Sequence, residues 1–385
     1  MKNYTSRRSF LQTGAASVAA GAFTIIAPQS VRGTQANSKI SVGLIGAGNR
    51  GSYIAGIAHA DPRAQVTALC DRFPDQFEKA QRAIKVENPR TFADYEKLLA
   101  APDIDAVFIA TPPFEHRRMF EAAVQARKHI YLEKPIGVDV DGCTRTLAAS
   151  KKADPSKTIA VGFQLRYSPE YLEAFKRIQK GDLGEIVSAR GYVDVYNVFQ
   201  RKPYSDPAEE KLRNWFCYRD YSGDFIVEQD CHLLDVLQWF IGGVPLSVVG
   251  RGSKKFRKDW EILDNLAVVY VWPKALIVNF TANQISPLGY SKAGGEFMGT
   301  KGLIFMSPDK MVHQKGSKPT DFEEMVAKRE MTHDAVENFL DRIVTNNPEN
   351  AIERAVRSNC IALLGREAVY TGREVTWKSY IGMNL

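Results

Sequence analysis

The chain of 385 residues is longer than a single hydrophobic core usually serves and is comfortable for two domains. Charged residues at 25% and hydrophobic residues at 44% are ordinary for a soluble globular protein and point neither to a disordered chain nor to a membrane bundle. The formal net charge of +7 owes four units to the first residues, and no long basic run occurs, so a nucleic-acid partner is not indicated.

Residues 1–36 differ from the rest. Their only charges are Lys2, Arg7, Arg8 and Arg32, and Thr13 to Ala27 is dominated by Ala, Gly, Val and Ile. Ser6-Arg7-Arg8-Ser9-Phe10-Leu11 resembles a twin-arginine export signal, with Gln12 where Lys is common, and Thr34-Gln35-Ala36 supplies the small residues that signal cleavage needs. The apolar run is too short to span a bilayer. Export to the periplasm or beyond through the twin-arginine machinery is the expectation, with cleavage near Ala36. That route carries folded proteins, which hints at a cofactor inserted beforehand and tightly held.

From Lys39 to Phe163 short apolar runs alternate with helical patterns, the mark of βαβ units and a parallel sheet. Strands are expected at 40–45, 65–70, 106–110, 129–132 and 158–163, and helices at 77–84, 95–100, 114–127 and 140–151. Ser168-Pro169 then opens a helix that Gly181 closes. Strand-like alternation follows at 185–198, 265–272, 275–284 and 296–306, with Pro273-Lys274 as a hairpin turn, arguing for an antiparallel sheet. Helices at 230–241, 334–344 and 351–370 would pack on one face or return to the first domain. The expected organisation is α/β: a signal at 1–36, a doubly wound Rossmann domain at 37–163 and an α+β domain at 164–385.

Cys70, Cys143, Cys217, Cys231 and Cys360 are scattered, odd in number and without CxxC spacing. Neither a disulfide framework nor a zinc site follows, and no other metal site is expected. Cys217 with Cys231 is the pair to check for a single bridge.

Gly46-Ala47-Gly48-Asn49-Arg50-Gly51 fits the GxGxxG fingerprint between an apolar strand and a helical pattern. The first Gly permits the tight turn, the second lets the backbone approach a pyrophosphate, and the third allows close helix packing, while the helix N-terminus attracts the phosphate charge. Asp71 ends the next strand about twenty residues on, where an acid binds the ribose 2′-hydroxyl. NAD is favoured; Arg72 could instead meet a 2′-phosphate, which keeps NADP open. Thr111-Pro112-Pro113 and Glu133-Lys134-Pro135 follow later strands, at the ends where open parallel sheets bind ligands. Oxidising a secondary alcohol removes a hydroxyl proton as hydride leaves the same carbon, which requires a base and a cation near the oxygen. Lys134 and His232 can supply them, and helical spacing would put Glu228, His232, Asp235 and Trp239 on one face.

GAGNRG, ATPP followed by His116, EKP, and a helix with His232-Leu233-Leu234-Asp235 occur in the order found in the glucose-fructose oxidoreductase, inositol dehydrogenase and rhizopine catabolism (Gfo/Idh/MocA) family, which this chain resembles over essentially its whole mature length. The resemblance implies an open-faced antiparallel sheet in the second domain, used for homodimer or homotetramer contacts. It also implies Lys134 near the nicotinamide and the reacting hydroxyl, with Pro135 admitting a cis bond, and His232 as the catalytic histidine. Glu228 stands where the family usually has Asp. Arg166 and Tyr167 fall in a region that the family uses to line the substrate pocket, while Trp215, Tyr218 and Arg219 form an aromatic-rich loop suited to sugar rings. His116 either approaches the nicotinamide or caps the crevice. The expected activity is NAD(P)-dependent oxidation or reduction of a sugar or polyol hydroxyl. One alternative that also fits the family is redox-neutral glycoside cleavage by oxidation, elimination and re-reduction. A second is a cofactor-binding sensor without catalysis.

Overall fold

The computed structural model describes residues 39–196, 199–315, 318 and 320–385, so residues 1–36, expected to be an export signal, lie outside the described residues. From Lys39 onward the chain forms one compact unit built around two sheets.

The first sheet has six parallel strands: β1 (Ile40–Ile45), β2 (Ala64–Cys70), β3 (Arg90–Phe92), β4 (Ala106–Ile109), β5 (His129–Leu132) and β6 (Ile159–Val161). Their order is β3-β2-β1-β4-β5-β6, so the chain reverses direction across the sheet between β1 and β4 and opens a crevice at their C-terminal ends. Strands β4 and β6 are buried at every residue, because helices cover both faces. Strand β3 escapes the sequence pattern: it has three residues, two of them exposed, and no apolar run. Asp94 and Asp139 accept hydrogen bonds from Glu96 N and Gly142 N and so cap the helices Tyr95–Leu99 and Val140–Ser150. Ser168 begins the helix Pro169–Lys180 without such a bond, its hydroxyl going to Glu170, and Gly181 ends that helix at φ +82°.

The second sheet has nine strands, β7 (Ile186–Asp194), β8 (Ser247–Ser253), β9 (Asn265–Trp272), β10 (Leu276–Asn283), β11 (Lys292–Gly299), β12 (Leu303–Ser307), β13 (Lys310–Gln314), β14 (Phe322–Val326) and β15 (Val375–Thr376), in the order β14-β13-β12-β11-β7-β10-β9-β8-β15. It is mostly antiparallel, with one departure from the sequence reading: β7 pairs in parallel with β10. The segment after β7 passes through several short helices before the sheet resumes, which allows β7 to sit between strands far later in the chain. The single strand expected at 296–306 is instead a hairpin of β11 and β12, with Gly299 N bonded to Gly302 O across the turn.

Two C-terminal helices join the halves. Thr332–Val344 returns to the first sheet, where Phe339 meets the rings of Phe108 and Tyr131 at 5.6 and 5.7 Å. Ile352–Thr371 carries thirteen buried residues and packs against the helices Val140–Ser150 and Cys231–Ile241 and against β8. All five cysteines are buried free thiols. The Cys217–Cys231 bridge is therefore not formed; the Cys231 thiol faces the Glu228 carbonyl at 3.7 Å.

Gly51 sits where the helix Asn49–Ala60 crosses the end of β1, and a Cβ there would lie 1.9 Å from Gly46 O. Gly51→Ala must push helix from strand, and chemical denaturation should register a loss of about 1–3 kcal/mol.

Candidate active site

The loop after β1 is shaped by contact on one side and space on the other. Gly46 adopts φ +94°, and a Cβ on it would lie 2.6 Å from the Ala110 carbonyl, so the ends of β1 and β4 touch there. A Cβ on Gly48 would meet nothing within 4 Å. Gly48 also begins the helix Asn49–Ala60, whose first turn holds no acidic residue. The first-turn amides of a helix have no intrahelical partner, so this open concavity at residues 46–51 has the shape and polarity that suit an anion such as a pyrophosphate. At the end of β2, the Asp71 carboxylate accepts hydrogen bonds from Ala47 N at 2.8 Å and Phe73 N at 2.9 Å, which ties the acid to the phosphate loop. Burial raises its pKa despite those bonds. These groups fit a dinucleotide. Asn49 is exposed beside the loop, and Arg72, itself half-exposed, is paired with Glu115 at 3.2 Å.

Beyond the loop opens a cleft lined by Arg50, Ala110, Thr111, Pro113, Glu133, Lys134, Gln164, Trp215, Glu228 and His232. Strand β5 delivers Glu133 and Lys134 to it, and the Lys134–Pro135 peptide is cis. Lys134 Nζ lies 2.8 Å from Glu228 Oε1 and also donates to the Glu228 carbonyl, with both side chains largely buried. Burial by itself would lower the pKa of Lys134, but Glu228, Cys231 and Glu133 together hold it above the usual lysine value. Lys134 is an ammonium. Glu133 accepts from Arg50 Nε at 2.7 Å, and Gly162 makes room for its carboxylate, since a Cβ there would fall 2.6 Å from Glu133 Oε2. Arg50 continues to Gln164 Oε1 at 2.6 Å and to Thr332, binding together the ends of three segments distant in sequence. Pro112 precedes the helix Pro113–Gln125. His116, fully buried on that helix, has its ring nitrogens 2.7 Å from Pro135 O and 2.8 Å from Thr111 O, so it fastens the loops after β4 and β5 to each other.

His232 comes from the helix Cys231–Ile241, with Phe163 edge-on to its ring at 6.1 Å. Burial first, and then the charges of Lys134 and Arg50, drive its pKa well below the usual imidazole range. Its Nδ1 is buried with no hydrogen-bond partner among the described residues. A neutral imidazole beside a fixed ammonium is the base-and-cation pair that alcohol oxidation demands.

Not every expected residue reaches the cleft. The helical face expected for Glu228, His232, Asp235 and Trp239 is only partly formed: the last three share the helix Cys231–Ile241, whereas Glu228 ends the separate short helix Phe225–Glu228. Asp235 is fully buried and receives Arg166 through two nitrogens, at 2.8 to 3.0 Å, together with the Ser358 hydroxyl. Arg166 also lies over the Trp239 ring at 5.0 Å. Tyr167 meets Arg354 at 3.3 Å, and Tyr218 bonds to Glu210 under the Arg201 guanidinium. Of the expected substrate residues, Trp215 lines the cleft. Gln164 was missed by sequence reasoning; its position just past the C-terminal end of β6 was the available signal.

Residues 40–163 match the oxidoreductase family with an NAD-binding Rossmann fold, and residues 171–305 match the GFO/IDH/MocA C-terminal domain. The chain is similar to the inositol 2-dehydrogenase of Rhizobium meliloti, 31% identical over 269 residues that span 69% of this chain and 74% of that protein. It is also similar to the scyllo-inositol 2-dehydrogenase (NAD(+)) of Bacillus subtilis, 26% identical over 273 residues, 70% of this chain and 74% of that one. Among solved structures, a levoglucosan dehydrogenase in complex with NADH and levoglucosan has the same fold, with a TM-score of 0.74 at 20% identity, covering 88% of this chain and 99% of that chain.

Removing the Asp235 carboxylate would leave Arg166 facing a buried, uncompensated space. Asp235→Ala should therefore cost about 3–5 kcal/mol in denaturant unfolding.

Proposed function

The chain belongs to the Gfo/Idh/MocA oxidoreductase family, and from that premise we propose that this NAD-dependent oxidoreductase acts on a secondary hydroxyl of a sugar or polyol. The observation that carries the substrate class is the charge balance of the cleft: Arg50 is matched by Glu133 and Lys134 by Glu228. His232 is neutral, so the lining carries many donors and acceptors without an excess of either sign. A carboxylate or phosphate substrate would demand a surplus cation; a neutral polyhydroxyl compound does not. The relatives named for inositol belong to that class.

NAD, when bound, takes hydride from the alcohol carbon and returns it in the reverse direction. The protein's own part is electrostatic and protonic. Lys134 donates a hydrogen bond to the reacting oxygen and stabilises the negative charge that grows on it. His232 accepts the hydroxyl proton and gives it back on reduction. Glu228 positions Lys134 by side chain and carbonyl together. Trp215 offers a flat apolar face to the ring of the substrate. Under the same proposal the parallel sheet serves the cofactor, and the nine-stranded sheet serves substrate and self-association. Residues 1–36 direct export.

Lys134→Ala should lower kcat/KM by about 10²–10⁴-fold while NADH binding, followed by fluorescence, stays intact. Equal loss of binding would place Lys134 in cofactor affinity instead. The pH profile makes a second test. Oxidation needs neutral His232, and a depressed pKa means protonation begins only below the ordinary imidazole range. The acid limb of kcat/KM should accordingly fall below the range of a free histidine, and His232→Asn should abolish that limb.

A further inference from the structure

The segment from Phe199 to Ser222 leaves the second sheet after β7 and carries the short helices Pro207–Arg213 and Arg219–Ser222. It meets the parallel-sheet half in two places, one around the start of the helix Asp75–Ile84 after β2 and one at the first turn of the helix Pro113–Gln125 after β4. At one, the Arg213 guanidinium lies 3.8 Å from the centre of the Phe73 ring and 2.7 Å from Asp75 Oδ1, while Glu209 holds its Nε at 2.6 Å. At the other, Tyr221 stacks on Phe114 with ring centres 4.1 Å apart, and Lys211 sits over the Tyr221 ring at 4.8 Å.

The placement of these anchors gives them meaning. Phe73 and Asp75 follow Asp71 at the end of β2, and Phe114 follows Thr111-Pro112-Pro113 near the end of β4. Strands β2 and β4 flank β1, whose end carries the Gly46–Gly51 loop. The segment is thus fastened to both sides of the dinucleotide crevice. Trp215, between the two anchors, lines the cleft.

We propose that residues 207–221 are a clamp that retains the dinucleotide, with Arg213 on Phe73 and Asp75 as one fastening and Tyr221 on Phe114 as the other. The inference rests on NAD occupying the Gly46–Gly51 loop and goes beyond it, since it makes the cofactor a resident group. An arginine stacked on an aromatic ring while paired with a carboxylate is held by two different forces at once, and its planar head satisfies both without rearrangement. Release of the dinucleotide then waits on the opening of both contacts. Trp215 rides on the same segment, so the clamp also ties cofactor retention to the shape of the substrate cleft.

The test is the release rate of isotope-labelled NAD⁺ from the purified mature protein, chased with excess unlabelled NAD⁺. Arg213→Ala and Tyr221→Leu should each speed release by about tenfold, with thermal unfolding reporting that the fold persists. Arg213→Lys, which keeps a cation for Asp75, Glu209 and the Phe73 ring, should release more slowly than Arg213→Ala. Label that leaves Tyr221→Leu and Arg213→Ala at the wild-type rate overturns the clamp and leaves the cofactor assignment standing. A wild-type protein that takes up no NAD⁺ overturns both.

Discussion

The contact on which the site depends is the one between Lys134 and Glu228. Strand β5 of the parallel sheet ends in the lysine, and the short helix before His232 ends in the glutamate, so a single ammonium is gripped by a side chain and a main-chain carbonyl from the far half of the molecule. Both partners are largely buried, and a buried cation without its carboxylate would be costly. The interruption of the helix at Gln229 and Asp230 is what frees the Glu228 carbonyl for this work. It also lets a new helix begin at Cys231, with His232 in its first turn lining the same cleft.

Around that pair the charges are arranged to cancel. Arg50 is absorbed by Glu133, Gln164 and Thr332, and His116 is spent on holding two loops together. What remains to meet a substrate is an ammonium already directed by its partner, a neutral imidazole and an indole. That inventory suits hydroxyl chemistry, in which a proton must leave and a partial negative charge must be stabilised at one oxygen. The segment that supplies the indole is fastened on both sides of the dinucleotide crevice, so cofactor and substrate regions are joined by covalent chain as well as by the ion pair. A dinucleotide retained in this way would have to be recharged in place by a second substrate.

Much of this was legible in the residues themselves. Continuous apolar runs separated by helical periods located five of the six strands of the parallel sheet, and GAGNRG with Asp71 pointed to a phosphate loop because each glycine there answers a steric need that can be stated in advance. Lys134 and His232 were singled out by position, chemical requirement and family resemblance, and both line the cleft. The failures share a cause, which is that pattern within a segment says nothing about partners from other segments. Arg166 and Asp235 looked available for substrate and are bonded to each other. Glu228 and His232 looked like one helical face because spacing cannot reveal a break that tertiary contact stabilises. Strand β7 looked like part of a simple antiparallel run, whereas it is inserted beside β10 by a long excursion. Strand β3 is too short and too exposed to leave a signal.

The central claim is that the reacting carbon of a polyol meets the dinucleotide ring in the cleft between Lys134 and His232. It is tested most directly by incubating the purified protein with inositol deuterated at its carbinol carbons, then denaturing it and weighing the released dinucleotide. The account predicts deuterium on the nicotinamide ring, carried there from carbon in the wild-type protein and absent when His232 is replaced by Asn. A dinucleotide that stays free of deuterium with inositol and with every other neutral polyol and sugar tried would contradict it.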